Sequence, residues 1–209
     1  GDLTVARDYI SGCGSSTRGV FAGGDPGGSV NTIDYVTIAS AGNAIDFGDL
    51  TLARNGVGAA ASPTRAVFGG GGDTYRNTID YVTIATTGNA TDFGDLTVGR
   101  AAGAGCSSST RALFGGGVDG TNSNIIDYVT IASAGNATDF GDLTVGRLYA
   151  AATSSPTRGI FAGGLNGSGW QNNVIDYVTI ATTGNATDFA DLSVARGGAA
   201  GCSSGHGGL

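Results

Sequence analysis

Internal repetition constrains this chain more than any other feature. The phrase GDLTVAR stands at Gly1, and near-copies begin at Gly48, Gly94, Gly141 and Ala190, giving periods of 47, 46, 47 and 49 residues. A period near 50 that holds several short strands is the signature of propeller blades, each of which buries its faces only against its neighbours. Composition points the same way. All ten basic residues are arginine and all seventeen acidic residues are aspartate, so lysine, glutamate and methionine, three good helix formers, are absent. The 40 glycines follow no Gly-X-Y period, which excludes collagen and suits tight turns and closely approaching strands.

Each unit reads as four antiparallel strands. The first (SGCGS, GAAAS, GAGCS, AAATS) is built of small residues, which fit the crowded axis of a ring and place it innermost. A turn SSTR or SPTR leads to the second, RGVFAGG and its copies. The third, IDYVTIA, alternates with a period of two and is rich in β-branched residues. A Gly-Asn turn, as in Ala41-Gly42-Asn43, then returns the chain along a fourth strand, DFGDLTV. The predicted fold is all-β: a β-propeller of four-stranded antiparallel blades, with four full repeats plus a partial fifth, in one repeat domain over 1–209. The blades fall at 8–54, 55–100, 101–147 and 148–196, with a leading strand at 1–7 and a trailing strand at 197–209. Those end strands are expected to share one incomplete blade, or to be completed by a longer parent chain or by neighbouring subunits.

A hydrophobic strand ending in a double glycine, followed after a spacer by a tyrosine-bearing strand, resembles the kelch blade. The likeness runs through essentially the whole chain: Gly23-Gly24 with Tyr35, Gly70-Gly71 with Tyr81, Gly116-Gly117 with Tyr128, and Gly163-Gly164 with Tyr177. Kelch blades carry a tryptophan on the fourth strand; here Phe47, Phe93, Phe140 and Phe189 stand instead and the hairpin is longer, so the repeat resembles a diverged kelch type. The phrase YVTIATTGNATDFGDLTV is similar to repeats in structural proteins of tailed phages from aquatic habitats. That second resemblance implies a virion or extracellular surface as the location.

Four copies in one chain separate scaffold from site, because a residue present in every copy is most simply part of the blade. All eight phenylalanines are templated, as expected for packing between blades. Twelve aspartates fall into three template sets (Asp34, Asp46 and Asp49, with their copies), and nine of ten arginines are templated too, which predicts repeated ion pairs or carboxylates bonded to turn amides. Asn89, Asn136 and Asn185 head Asn-Ala-Thr sequons but occupy the template turn. Cys13, Cys106 and Cys202 each lie six residues after a template arginine and read as small reduced thiols. With no CxxC or Cys/His spacing, no metal or other cofactor is expected. A net charge of −7 without a basic run argues against nucleic acid as a partner. No apolar stretch reaches the ~18 residues of a membrane-spanning helix, so no membrane insertion is expected.

Length changes between units fall in the loop joining second and third strands. From the second-strand phenylalanine to the isoleucine before Asp-Tyr the steps are 12, 11, 12 and 14 residues. A second variable place follows the template arginine, with Asp8-Tyr9 in one unit and Leu148-Tyr149 in another. Alternating strand direction puts both connections on one rim, where loops held by a rigid scaffold commonly carry binding residues. The predicted ligand-binding rim comprises Tyr9, Tyr75, Arg76, Tyr149, Trp170 and Gln171, residue types that dominate interfaces. The expected function is a non-enzymatic recognition or adhesion module that binds a glycan or protein receptor. The alternative is a structural subunit docking other virion subunits or copies of itself. An enzyme is the third reading: kelch-type propellers include copper oxidases, but such chemistry needs several histidine and tyrosine ligands, and the one histidine is His206 in the terminal GHGGL.

Overall fold

A computed structural model describes residues 1–168 and 170–202. Sixteen strands form four separate antiparallel sheets, and no helix occurs among the described residues. Blade one comprises β1 (Ser11–Gly14), β2 (Arg18–Ala22), β3 (Thr32–Thr37) and β4 (Ile45–Asp49). Blade two comprises β5 (Gly58–Ala61), β6 (Arg65–Gly69), β7 (Thr78–Thr83) and β8 (Thr91–Asp95). Blade three comprises β9 (Ala104–Ser107), β10 (Arg111–Gly115), β11 (Ile125–Thr130) and β12 (Thr138–Asp142). Blade four comprises β13 (Ala151–Ser154), β14 (Arg158–Ala162), β15 (Val174–Thr179) and β16 (Thr187–Asp191). Strands follow chain order in every sheet, and each blade has the same bulge between its third and fourth strands, as at Ile33/Asp34. These are propeller blades in an open array: β1 packs on β5, β5 on β9 and β9 on β13, with no comparable packing of β13 on β1 among the described residues.

The first strands β1, β5, β9 and β13 lie successively against one another and are therefore innermost. Small residues are obligatory there: a Cβ on Gly105 would sit 2.3 Å from the Ala59 carbonyl oxygen of the adjacent blade.

Blades are joined by one arrangement repeated three times. Phe47 and Leu50 of blade one pack with Phe68, Val82 and Ile84 of blade two. Phe93 and Leu96 meet Phe114, Val129 and Ile131, and Phe140 and Leu143 meet Phe161, Val178 and Ile180. Burying such an aliphatic or phenyl side chain contributes about 1.5–3 kcal/mol.

The linker leaving each blade then clasps the next. Thr51 Oγ1 and Arg54 Nη2 donate to Asp80 at 2.6 Å each. Thr97 and Arg100 hold Asp127, Thr144 and Arg147 hold Asp176, and Thr4 and Arg7 hold Asp34 in the same way. Burial lowers the pKa of Arg54, with Asp80 opposing the shift, and its Nε has no partner among the described residues. Such pairs specify geometry more than they add net stability, but removing one partner strands a buried charge.

The ends depart from expectation. Residues 1–7 form no strand: the equivalent residues from Leu50, Leu96 and Leu143 to the template arginines are linker in every unit, and this segment is likewise the linker that clasps Asp34. Residues 197–202 also form no strand, although Gly201 lies against the Ala152 backbone as Gly105 lies against Ala59. The rest of the trailing segment, including His206, is outside the described residues.

Candidate functional site: the variable rim

In each blade the loop between second and third strands is tied to the junction that precedes the first strand. Asp25 exchanges backbone hydrogen bonds with Asp8, Val118 with Ala101, and Leu165 with Leu148; in blade two, Gly72 N–H donates to the Asn55 carbonyl at 2.8 Å. The two variable segments therefore share one rim.

A collar of peptides crowns this rim at the axis. Gly56 N–H donates to the Tyr9 carbonyl, Ala102 to Gly56, Tyr149 to Ala102 and Gly198 to Tyr149, at 2.8–3.0 Å. Each residue stands two places after a template arginine, so the collar has five positions, the fifth supplied by the trailing segment. Each is also left-handed, with φ of 48° at Tyr9, 57° at Gly56, 56° at Ala102, 53° at Tyr149 and 70° at Gly198. The bend turns the chain from linker into innermost strand. Glycine is the default residue for it, because a Cβ there crowds the following carbonyl.

Tyr9 and Tyr149 occupy the first and fourth positions, and Gly198 between them has no side chain. Their rings meet with centroids 5.7 Å apart and planes tilted by 32°. Burial raises the Tyr149 pKa, with Tyr9 and Asp8 adding to the shift, so its hydroxyl stays protonated and can donate a hydrogen bond.

The other predicted residues lie further out. Tyr75 has a φ of 52° and its N–H donates to the Gly72 carbonyl at 3.1 Å. Arg76 beside it is exposed, and its side chain makes no hydrogen bond or ion pair among the described residues. In blade four, Asn166 Oδ1 accepts from the N–H groups of Ser168 and Trp170 at 3.0 Å each, a local turn that presents Trp170 at 72% exposure. Gln171 is exposed and bridges to Leu165. The six residues thus form an axial pair, Tyr9 and Tyr149, and two outlying pairs, Tyr75–Arg76 and Trp170–Gln171, on the loops of blades two and four.

Sequence reasoning missed two polar links on the rim. Asn55 Nδ2 donates to Asp25 Oδ2 and Asp73 Oδ1 at 3.3 Å each, joining the loops of blades one and two. Asn122 Nδ2 donates to the Leu165 carbonyl at 2.8 Å, joining blades three and four. Asn55 was detectable as an off-template residue directly after Arg54, where the other units have Asp8, Ala101, Leu148 and Gly197. Asp25 also accepts from the N–H groups of Gly27 and Gly28, and the Gly27 bond is the main reason its pKa is lowered.

Between the innermost strands lies an axial cavity of about 610 Å³, lined by small residues including Gly12, Cys13, Ala60, Gly105, Cys106 and Ala152. Desolvation pushes the thiols of Cys13 and Cys106 up to about 12, which leaves them protonated and unreactive at neutral pH. Among the described residues, no three histidine, cysteine or aspartate side chains converge as metal ligands. Comparison with known proteins finds no matching family model and no matching curated protein.

Proposed function

We propose that this chain is a non-enzymatic recognition module of diverged kelch type, carried on a virion or extracellular surface, which binds a glycan through the variable rim. The observation that carries this reading concerns the three tyrosines that break the repeat template. Tyr9, Tyr75 and Tyr149 all stand at left-handed backbone positions, with φ of 48–53°. A side chain there costs about 1–2 kcal/mol relative to the right-handed conformation. Units two and three show that the collar forms with Gly56 or Ala102 instead, so it does not need an aromatic ring. Strain held where the fold does not require it is a mark of functional positions. Tyrosine offers a rigid amphipathic face at low entropic cost, suited to a ligand with apolar C–H faces and hydroxyl edges.

Glycan-array binding of the intact protein beside a Tyr9→Gly/Tyr149→Gly variant tests the proposal. The expected result is a defined set of bound glycans, with binding reduced at least tenfold in the variant. An array without hits, or hits that persist in the variant, would overturn it.

A further inference from the structure

The outer face of blade four presents the phenylalanine and arginines that join one blade to the next, with Ser193 in place of threonine and Ala190 in place of glycine, without the next blade. Phe189 is 52% exposed, whereas its equivalents Phe47, Phe93 and Phe140 are each 2% exposed. Arg196, the equivalent of Arg54 and Arg147, makes no ion pair among the described residues; its Nε reaches only the Val194 carbonyl, two residues away. Arg18, Arg65 and Arg111 each donate across an interface to the carbonyl of Ile84, Ile131 or Ile180, but Arg158 has no such partner among the described residues.

Blade one shows the complementary deficit. Ile38 is 60% exposed, whereas Ile84, Ile131 and Ile180 are each 1% exposed. The two faces therefore bracket a slot. The collar fixes its width: Gly198 holds the fifth position, and Tyr9 touches Tyr149 across it. One blade fits; a second whole copy, with four blades, does not.

We infer that this slot is a docking site for the second, third and fourth strands of one further unit of this same repeat, laid against the trailing segment at Gly201. The occupant's chemistry follows from the three internal interfaces. Its third strand brings an aspartate that accepts from Arg196 and Ser193, as Asp176 accepts from Arg147 and Thr144. A Val/Ile pair covers Phe189, and the occupant's own fourth-strand phenylalanine covers Ile38. Its second-strand arginine donates to the Ile38 carbonyl. One position differs. At Gly48, Gly94 and Gly141 a Cβ would lie 2.5 Å from the backbone of the next blade's turn, and the equivalent residue of blade four is Ala190. The occupant's Gly-Asn turn therefore stands farther from blade four than the three internal turns stand from their neighbours.

The test adds a fluorescein-labelled peptide of residues 110–143, the corresponding segment of blade three, to the intact chain and follows anisotropy, with sedimentation to fix stoichiometry. The expected result is saturable one-to-one binding. Arg196→Ala in the chain, or Asp127→Asn in the peptide, weakens it at least tenfold, and the two changes together cost little more than either alone. Arg196 is exposed, so its variant keeps the fold. A second variant, Ala190→Gly, tightens binding by letting the turn approach. Failure of the unmodified peptide to bind beyond a scrambled control, indifference to both Arg196 and Asp127, or a chain already self-associated through a face that Phe189→Asp disrupts would overturn the assignment.

Discussion

Phe47, Phe93 and Phe140 are each 2% exposed at three equivalent interfaces, whereas Tyr9, Tyr75 and Trp170 on the variable rim are 52%, 39% and 72% exposed. The phenylalanines recur in every unit on ordinary strand backbone; none of them has a left-handed φ. The rim tyrosines are not templated: Tyr9 and Tyr149 share a position that other units fill with Gly56, Ala102 or Gly198, Tyr75 lies in a variable loop, and all three have a left-handed φ. The contrast teaches that the repeat treats its aromatic residues by two standards. Interface aromatics are retained because neighbouring blades require them. Rim aromatics persist although the local backbone would accept glycine.

That comparison can be broken most sharply at the clasps. Asp80→Ala removes the carboxylate that holds Arg54 and Thr51, and is expected to cost about 3–5 kcal/mol, because a buried guanidinium is left unpaired. Chemical denaturation would measure it; a loss below 1 kcal/mol would show that the clasps do not order the blades. A similar loss, about 3–5 kcal/mol, is expected for Phe93→Ala from lost burial plus a cavity. Phe189→Ala, at the open face, should cost less than half of that because the ring is already half in water. Equal costs would mean that the open face is covered in solution.

Smaller effects test the rim. Tyr75→Gly and Tyr75→Ala delete the same ring, so their difference isolates the left-handed backbone. The glycine variant is expected to be more stable by about 1 kcal/mol, as judged by denaturation midpoints. Trp170→Ala should change stability by no more than about 0.5 kcal/mol, as for other surface sites, and show its effect only in ligand binding. The smallest signal concerns Cys106. With its pKa pushed up to about 12, roughly one thiol in ten thousand is ionised at pH 8, so alkylation should be negligible until the protein unfolds. Prompt alkylation in the native state would contradict the buried assignment.

Much of this architecture was legible because the repeat acts as its own control. The alternation in IDYVTIA, the small residues of the first strand and the positions of length variation together placed all sixteen strands and identified the innermost one. Strand order also placed Tyr9, Tyr75, Tyr149 and Trp170 at one end. Pairwise features were harder to see. The phrase GDLTVAR reads as strand throughout, yet each fourth strand ends at its second residue (Asp49, Asp95, Asp142 and Asp191) and the remainder is linker in every unit; the expected strand at residues 1–7 fails for that reason. Template asparagines were read as turn formers, yet Asn89, Asn136 and Asn185 also accept the N–H of Asp49, Asp95 and Asp142 from the preceding blade. The collar was invisible for a related reason. A left-handed φ at Tyr9 or Tyr149 has no sequence mark unless aligned with Gly56 and Gly198.

The most direct measurement combines both standards in one protein, Tyr9→Gly/Tyr75→Gly/Tyr149→Gly, with thermal unfolding and glycan binding recorded on the same preparation. Tyrosines kept for recognition predict a melting temperature equal to or above that of the unmodified chain, together with loss of ligand. A marked fall in melting temperature, or full retention of binding, would mean that these tyrosines hold the propeller together or do nothing at all.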